Sequence, residues 1–175
     1  NLKLKQDYSH TFIIRFGQSN HEKANGLFVF AYMNLTNRYI GNSSLISSGD
    51  TVIDEGIILK KGSQLNKPVN IDGYRNSRLF LTYSMPFGLI KSNLNFTSGF
   101  VYNRIPALVN QQENLADNYN FSEGVSVSSN ISENIDFNIS YLANYTIVKN
   151  SLKKGNDDQD YFFHRFTCLK NNWRK

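Results

Sequence analysis

The segment from Ile135 to Val148 alternates apolar and polar side chains more regularly than the rest of the chain. Its odd positions are apolar or aromatic, and its even positions are mostly Asp, Asn, Ser or Thr. Because successive side chains of a strand point to opposite faces, the pattern predicts a strand with one apolar and one polar face. The segment exceeds the roughly 9–11 residues that a tilted strand needs to cross a bilayer.

The same period of two recurs along the chain and predicts seven strands, near residues 10–18, 25–46, 69–87, 92–103, 119–130, 135–149 and 160–169. The orientation of two of them stays open, because Leu27 to Leu35 begins apolar on both faces and Tyr161 to Leu169 carries aromatics on both faces. Aromatic residues make up 14% of the chain and charged residues only 19%. This composition favours pleated strands over helices, so we predict an all-β fold.

The connections between the predicted strands alternate in length. Three are short, at Ser19–Gly26, Phe87–Lys91 and Ile131–Asn134, and three are long and polar, at Ser47–Lys67, Arg104–Asn118 and Asn150–Asp160. In an antiparallel up-and-down meander, this places every short turn at one edge and every long loop at the other, as in outer-membrane barrels. The first long stretch contains a strand-like run, Thr51 to Leu59, that predicts a small hairpin.

Seven strands would leave two open edges, which a lipid-exposed sheet cannot have. We therefore expect the 175 residues to be a single partial domain, one section of a larger transmembrane β-barrel. Its lipid-facing side chains are predicted from the apolar positions of the four most regular segments: Leu79, Leu81, Tyr83, Met85, Leu94, Phe96, Phe100, Tyr102, Ile135, Phe137, Ile139, Tyr141, Tyr145 and Ile147. A soluble or surface-attached β-sandwich that acts as a binding module remains the alternative.

Aromatic residues near the ends of the strands favour the membrane interpretation. Phe87, Phe96 and Phe137 lie near short turns, whereas Tyr102 and Tyr145 lie toward long loops. Two such bands are typical of the aromatic girdles at membrane interfaces. The competing interpretation is that these side chains fill the core of a sandwich.

Several stretches resemble the outer-membrane β-barrel family of Bacteroides-type bacteria, the TonB-dependent receptor-like proteins. They are Asn1 to Leu4, Asp7 to His10, Pro68 to Tyr74, Tyr119 to Gly124, Ser128 to Phe137, and Tyr141 to Leu152. The resemblance covers the chain up to about Asp160 and lies in the order and spacing of these motifs. The tail from Arg165 to Lys175 departs from the family pattern.

The resemblance implies a late part of a large barrel, without the plug domain and the remaining strands. It implies location in the bacterial outer membrane and a transport role, in which the wall surrounds a pore for ligand uptake. The expected partners are membrane lipids and lipopolysaccharide, together with a plug domain and a TonB-type partner of the full-length protein. Energy coupling rests on the resemblance alone.

Residues that could carry catalysis or bind metals form no recognisable constellation, so we predict neither an enzyme nor a cofactor or metal site. His10, His21 and His164 are far apart and lack metal-ligand spacing. Cys168 is expected to be a small buried hydrophobe. The net charge of +5 includes lysines in loop-like stretches. They suggest a solvated surface or contact with anionic phosphates, while the absence of an aromatic-plus-basic motif argues against nucleic acid.

Overall fold

The structure is a computed structural model that describes residues 4–54, 57–88, 92–132, 135–152 and 158–171. Within strands, the side chains of residues 54, 57, 130–132, 135, 136 and 171 are not described. The described residues form eleven strands: β1 (Tyr8–Asn20), β2 (Asn25–Asn37), β3 (Tyr39–Ile46), β4 (Thr51–Asp54), β5 (Ile57–Leu59), β6 (Gln64–Ile71), β7 (Tyr74–Phe87), β8 (Ser92–Val109), β9 (Gln112–Ser132), β10 (Ile135–Asn150) and β11 (Gln159–Asn171).

One large sheet contains nine of these strands, and seven of them follow one another in the order β1-β2-β7-β8-β9-β10-β11, while β3 and β6 lie off this path. Each neighbouring pair in that order is antiparallel. The predicted all-β antiparallel meander is therefore confirmed. The sheet is open, because β1 and β11 each pair with a single neighbour.

The three connections that the sequence predicts to be short lie at one end of the sheet. Between β1 and β2, Ala24 adopts a left-handed conformation (φ 49°), and the Lys23 amide donates to Asn20 Oδ1 at 3.0 Å. The predicted turns at Phe87–Lys91 and Ile131–Asn134 fall partly on residues 89–91 and 133–134, which lie outside the described residues. The strands that flank these two turns are hydrogen bonded up to Phe87–Ser92 and Ser132–Ile135.

The prediction of a long loop at Arg104–Asn118 is wrong. β8 and β9 continue as paired strands to Val109 and Gln112, joined only by Asn110 and Gln111. Both turn residues have positive φ values, 50° and 68°, as a two-residue hairpin turn that suits the twist of the strands requires. The pairing extends beyond the region of regular alternation, because backbone hydrogen bonds do not need an apolar face.

The predicted hairpin at Thr51–Leu59 is confirmed as β4 and β5, which pair with each other in a separate two-stranded sheet. It lies between β3 and β6, which form an antiparallel extension of β2 and β7. The predicted loop at Ser47–Lys67 is thus shorter than expected, since β6 already begins at Gln64.

The extension bends where β2 meets β3 and where β6 meets β7. Arg38 (φ 52°) and Gly73 (φ 100°) adopt left-handed conformations at these bends. Beyond them β3, rather than β6, borders β8, in a short parallel pairing at Ser43 and Ser44. The two arms of the hairpin therefore exchange order relative to β8.

Gly41 permits the close approach of β3 to β8. A Cβ atom at this position would lie 2.9 Å from the Pro106 carbonyl oxygen and 3.0 Å from Ile71 Cγ2. We expect Gly41→Ala to lower the free energy of unfolding by about 1–3 kcal/mol, because backbone must shift to relieve the overlap. Urea unfolding of the intact protein measures this change.

Gly49→Ala is the matched control, since nothing lies within 4 Å of a Cβ built at Gly49. It should change the unfolding free energy by less than about 0.5 kcal/mol. Equal effects of the two substitutions would contradict the close approach at Gly41.

Candidate functional site

The register of the sheet brings the predicted lipid-facing residues to one side, called the apolar face here. Residues that are directly paired on neighbouring strands share a face. Phe100 is paired with Leu79 on β7 and with Phe121 on β9, and Phe121 is paired with Tyr145 on β10. All the predicted residues whose side chains are described lie on this face: Leu79, Leu81, Tyr83, Met85, Leu94, Phe96, Phe100, Tyr102, Phe137, Ile139, Tyr141, Tyr145 and Ile147. The side chain of Ile135 lies outside the described residues.

The register also settles the strands whose orientation the sequence left open. Leu27, Val29 and Ala31 of β2 oppose Tyr83, Leu81 and Leu79, so they belong to the apolar face. On β11, Phe162 and Phe166 oppose Tyr145 and Tyr141. The apolar face therefore crosses all seven strands of the meander.

No described residue forms a hydrophobic core beneath the apolar face. Among the described residues, no aliphatic or aromatic side chain is buried in a core, and the buried proline ring of Pro106 lies on β8 beyond Arg104. Leu79, Phe121 and Tyr141 remain 47%, 42% and 41% exposed although their strands are paired on both sides. Exposure at these central positions means that no second layer of described residues covers the apolar face. An uncovered patch of this kind marks an interaction surface.

A row of charged residues, called the charged row, bounds the apolar face at the end away from the short turns. It contains Arg75, Arg104, Asp117 and Lys149, which are neighbours in register. The Arg104 guanidinium donates to both Asp117 carboxylate oxygens, at 2.7 and 2.9 Å. This pairing holds the pKa of Asp117 below its usual value, although partial burial opposes the shift.

Tyrosines line the apolar face immediately below the charged row. The rings of Tyr102 and Tyr119 are 5.0 Å apart, and the Tyr102 hydroxyl donates to Asp117 Oδ1 at 2.8 Å. The Tyr145 hydroxyl donates to Asp160 Oδ2 at 2.9 Å. Tyr102 and Tyr145 thus each combine a ring on the apolar face with a hydroxyl that is hydrogen bonded to a carboxylate.

The opposite border lies at the short turns. Phe87 and Phe137 occupy the last row of the apolar face there, together with Ser92 and Ser129. Phe96 lies farther from this border, in the row shared by Tyr83 and Val125. The two predicted aromatic sets therefore lie on one face, with their outermost members at opposite ends.

A polar pair interrupts the apolar face midway between its borders. The Ser98 hydroxyl donates to Glu123 Oε1 at 2.7 Å, and Ala143 and His164 continue the same row. The small side chains leave a depression of about 250 Å³ between the flanking rings of Phe96 and Tyr141. Sequence reasoning missed this pair, because Ser98 and Glu123 are brought together only by the register of β8 and β9.

The other side of the sheet, called the polar face, carries mainly Asn, Ser, Thr and Gly on β8, β9 and β10. Cross-strand hydrogen bonds join Asn120 to Thr146 at 2.7 Å and Asn95 to Ser126 at 3.5 Å. At Gly99 an added Cβ would meet the Phe80 ring at 3.2 Å. This face is hydrophilic through neutral side chains rather than through paired charges.

Arginines and aromatic rings occupy the polar face toward β1. The Arg15 guanidinium lies 5.7 Å from the centre of the Phe30 ring, and that of Arg78 lies 5.8 Å from the Tyr32 ring. Phe30 also stacks on Phe80, with centroids 6.3 Å apart. These contacts explain why β2 is apolar on both faces at its beginning.

Other functional features are few. In the part of the chain that the structure describes, no three His, Cys, Asp or Glu side chains are grouped so that they could hold a metal ion. Within the same residues, no helix combines the length and the apolar character needed to cross a membrane. The expectation that Cys168 is buried is wrong: it is exposed, because β11 has a neighbour on one side only.

We expect Asp117→Asn to lower the free energy of unfolding at pH 7 by about 1 kcal/mol, since the pair is partly exposed. Because the pKa of Asp117 is lowered in the folded state, its contribution is present above the usual carboxyl pKa of about 3.9. It is lost as the pH falls through the lowered value. The difference between wild type and variant should therefore shrink toward pH 3, as measured by urea unfolding.

Glu113→Gln is the control for this measurement, because Glu113 is an exposed carboxylate on the same strand. It should leave the unfolding free energy nearly unchanged at both pH values. A difference for Asp117→Asn that is the same at pH 7 and pH 3 would contradict the ion pair.

Comparison with known proteins adds no assignment to this geometry. No family model, no curated protein and no solved structure matches the chain. The two unlike faces of the sheet, and the borders of the apolar one, are therefore the basis for a functional conclusion.

Proposed function

We propose that this sheet is a section of the wall of an outer-membrane β-barrel, with the apolar face against lipid and the polar face toward the lumen. The observation that carries the proposal is the apolar face itself, which stays in register over seven strands and is covered by no described residue. A closed barrel places such a face outward without burying it in a protein core.

The height of the apolar face supports a bilayer as its environment. On β10 it runs from Phe137 to Ile147, a span of about 33 Å at 3.3 Å per residue. At a strand tilt of about 40°, this corresponds to roughly 25 Å along the membrane normal, the height of the apolar band of outer-membrane barrels. The charged row and its tyrosines would then lie at one interface, and Phe87 and Phe137 at the other.

The polar face suits a water-filled lumen. Its neutral Asn, Ser and Thr side chains can form hydrogen bonds either with one another or with water. They can therefore face water without a dedicated protein partner. The arginines near β1 add positive charge to this face. Together they would form a hydrated wall along which a polar solute or a plug could lie.

The open edges require further strands if the sheet belongs to a barrel. Five strands lie between β1 and β11 in the sheet, and each strand is antiparallel to the next. β1 and β11 therefore run in the same direction. Direct closure of β1 on β11 would pair them in parallel. Antiparallel closure therefore needs an odd number of additional strands between them, which gives the even total of bacterial barrels.

The resemblance to TonB-dependent receptor-like proteins supplies the transport role. In this proposal the sheet belongs to the barrel wall of a receptor in the bacterial outer membrane, where it contacts membrane lipids and lipopolysaccharide. A plug domain of the full-length protein and a TonB-type partner would energise ligand uptake through the pore. Within the section itself, the proposed task is the separation of hydrocarbon from the lumen.

The alternative, a soluble or surface-attached β-sandwich that acts as a binding module, requires a second layer on the apolar face. The described residues supply none, since each strongly contacting pair of strands is a pair of hydrogen-bonded neighbours. This observation favours the membrane wall.

Two neighbouring residues of β9 test the orientation of the faces. Val125 belongs to the apolar face and Ser126 to the polar face, so we expect opposite environments for labels at Val125→Cys and Ser126→Cys. In the intact protein with Cys168→Ser, a nitroxide at residue 125 should collide with oxygen dissolved in the bilayer. A nitroxide at residue 126 should collide with a water-soluble nickel chelate instead.

The two positions serve as matched controls for each other, because they lie at the same depth on one strand. Shielding of residue 125 from both reagents would indicate a covering protein layer and would support the sandwich. Equal access of the nickel chelate to both positions would also contradict the proposal.

Glu123 provides an independent test, because a carboxylate facing hydrocarbon is unfavourable. We expect Glu123→Leu to raise the free energy of unfolding from lipid vesicles by about 1 kcal/mol, less than the value for basic residues at the midplane. The loss of the Ser98 hydrogen bond opposes part of this gain. Glu22→Leu, in the exposed link between β1 and β2, is the control and should produce no such gain. A stability decrease in Glu123→Leu would contradict the lipid-facing assignment.

A further inference from the structure

Three basic residues line a cleft beside the bend between β2 and β3. The cleft has a volume of about 660 Å³, and its basic lining residues are Lys5, Arg38 and Lys67. Leu4, Pro68, Val69 and Asn70 complete its walls, and no carboxylate is among the described residues that line it. The volume lies within the range of sites that hold small molecules.

The side chain of Asn70 holds the cleft together. Its amide group donates to the Lys5 carbonyl oxygen at 2.8 Å and to the Arg38 carbonyl oxygen at 2.7 Å, and its Oδ1 accepts from the Lys5 amide at 2.6 Å. One residue of β6 thus fixes both the segment that precedes β1 and the bend after β2. These hydrogen bonds fix the main chain at Lys5 and Arg38, two of the three basic residues of the cleft.

Arg38 has a conformation that few residues with a side chain adopt. Its φ is 52°, and its amide donates to Asp72 Oδ1 at 2.7 Å while its carbonyl accepts from Asn70. Strained backbone of this kind persists where the surroundings determine it, and it is concentrated at binding sites. An arginine at a position that suits glycine or asparagine points to a role for its side chain.

No ion pair with another described residue is identified for Lys5, Arg38 or Lys67. Arg104, by contrast, is paired with Asp117 at 2.7 Å. Asp72 and Glu113 line a neighbouring depression together with Arg38, and Asp72 Oδ1 accepts the Arg38 amide. Basic residues that outnumber the carboxylates around a cleft favour the binding of an anion.

We propose that this cleft binds a phosphoryl group. A phosphate monoester carries close to two negative charges and three acceptor oxygens, which suits a cleft lined by three basic residues better than a single carboxylate does. The group could be part of a lipid headgroup or of a soluble phosphorylated ligand. The lipid source rests on the proposed function, because it needs the bend beyond the charged row to lie at headgroup level, whereas the soluble source does not.

The test uses the intact protein in neutral detergent and two probes, glucose 6-phosphate and dioctanoyl phosphatidic acid, with glucose as the uncharged reference. Calorimetric titration should detect binding of at least one phosphorylated probe and no binding of glucose. At least tenfold tighter binding of phosphatidic acid identifies a headgroup site, and the reverse preference identifies a soluble ligand. Affinities within tenfold of each other indicate that the phosphoryl group alone is recognised.

A triple variant, Lys5→Gln, Arg38→Asn and Lys67→Gln, should weaken the binding of the phosphorylated probe by about tenfold or more, because charge-assisted hydrogen bonds are lost. Asparagine tolerates the left-handed conformation of Arg38. The control triple variant, Lys23→Gln, Lys60→Gln and Lys61→Gln, removes the same charge from exposed positions elsewhere and should alter the affinity by less than about twofold. Unchanged unfolding midpoints show that both variants fold.

Equal weakening in the two triple variants would overturn the proposal, since it would reflect only the overall charge. Absence of binding by the wild-type protein would overturn it as well. Neither result depends on the environment of the apolar face. Labels at Val125 and Ser126 report that environment separately, so failure of the cleft and failure of the membrane assignment are distinguishable.

Discussion

Every feature of the sheet depends on a register that keeps the period-two pattern of seven strands in phase. A slip by one residue between any two strands would move all the apolar side chains of one to the other face. Cross-strand contacts on both faces of the sheet oppose such a slip. They include the ion pair of Arg104 with Asp117 on the apolar face and the hydrogen bond of Asn120 with Thr146 on the polar face. The continuous apolar face is thus a property of the pairing as much as of the individual strands.

This arrangement explains how a chain with a mean hydropathy of −0.43 can present a large apolar surface. The second face is mostly polar on β8, β9 and β10, and the described residues bury no aliphatic or aromatic side chain in a core. Burial of apolar surface is the main favourable contribution to folding. If the apolar face meets hydrocarbon, the bilayer supplies that contribution. The region beyond the charged row, where β3, β6 and the tip of the β8–β9 hairpin meet, depends on hydrogen bonds such as those of Asn70 instead.

The sequence was sufficient to predict the strands whose faces differ strongly. The segment from Ile135 to Val148 alternates clearly, and the structure forms β10 there. The sequence was insufficient where polar residues continue a strand, as in the extension of β8 and β9 to the turn at Asn110 and Gln111. Loops and exposed strands are both rich in Asn, Gln and Glu, so composition does not distinguish them. The sequence also could not predict contacts set by register or by long-range order, such as that of Ser98 with Glu123 or the exchange of β3 and β6.

Photochemical cross-linking from Phe121 tests most directly whether hydrocarbon meets the apolar face. Phe121 lies on a strand paired on both sides, in the same row as Phe100 and Tyr145, and is 42% exposed. With benzoylphenylalanine in its place in the native membrane, illumination should yield a lipid adduct that mass spectrometry identifies. A cross-link to another segment of the same protein as the main product would contradict the membrane wall and would indicate a covering layer.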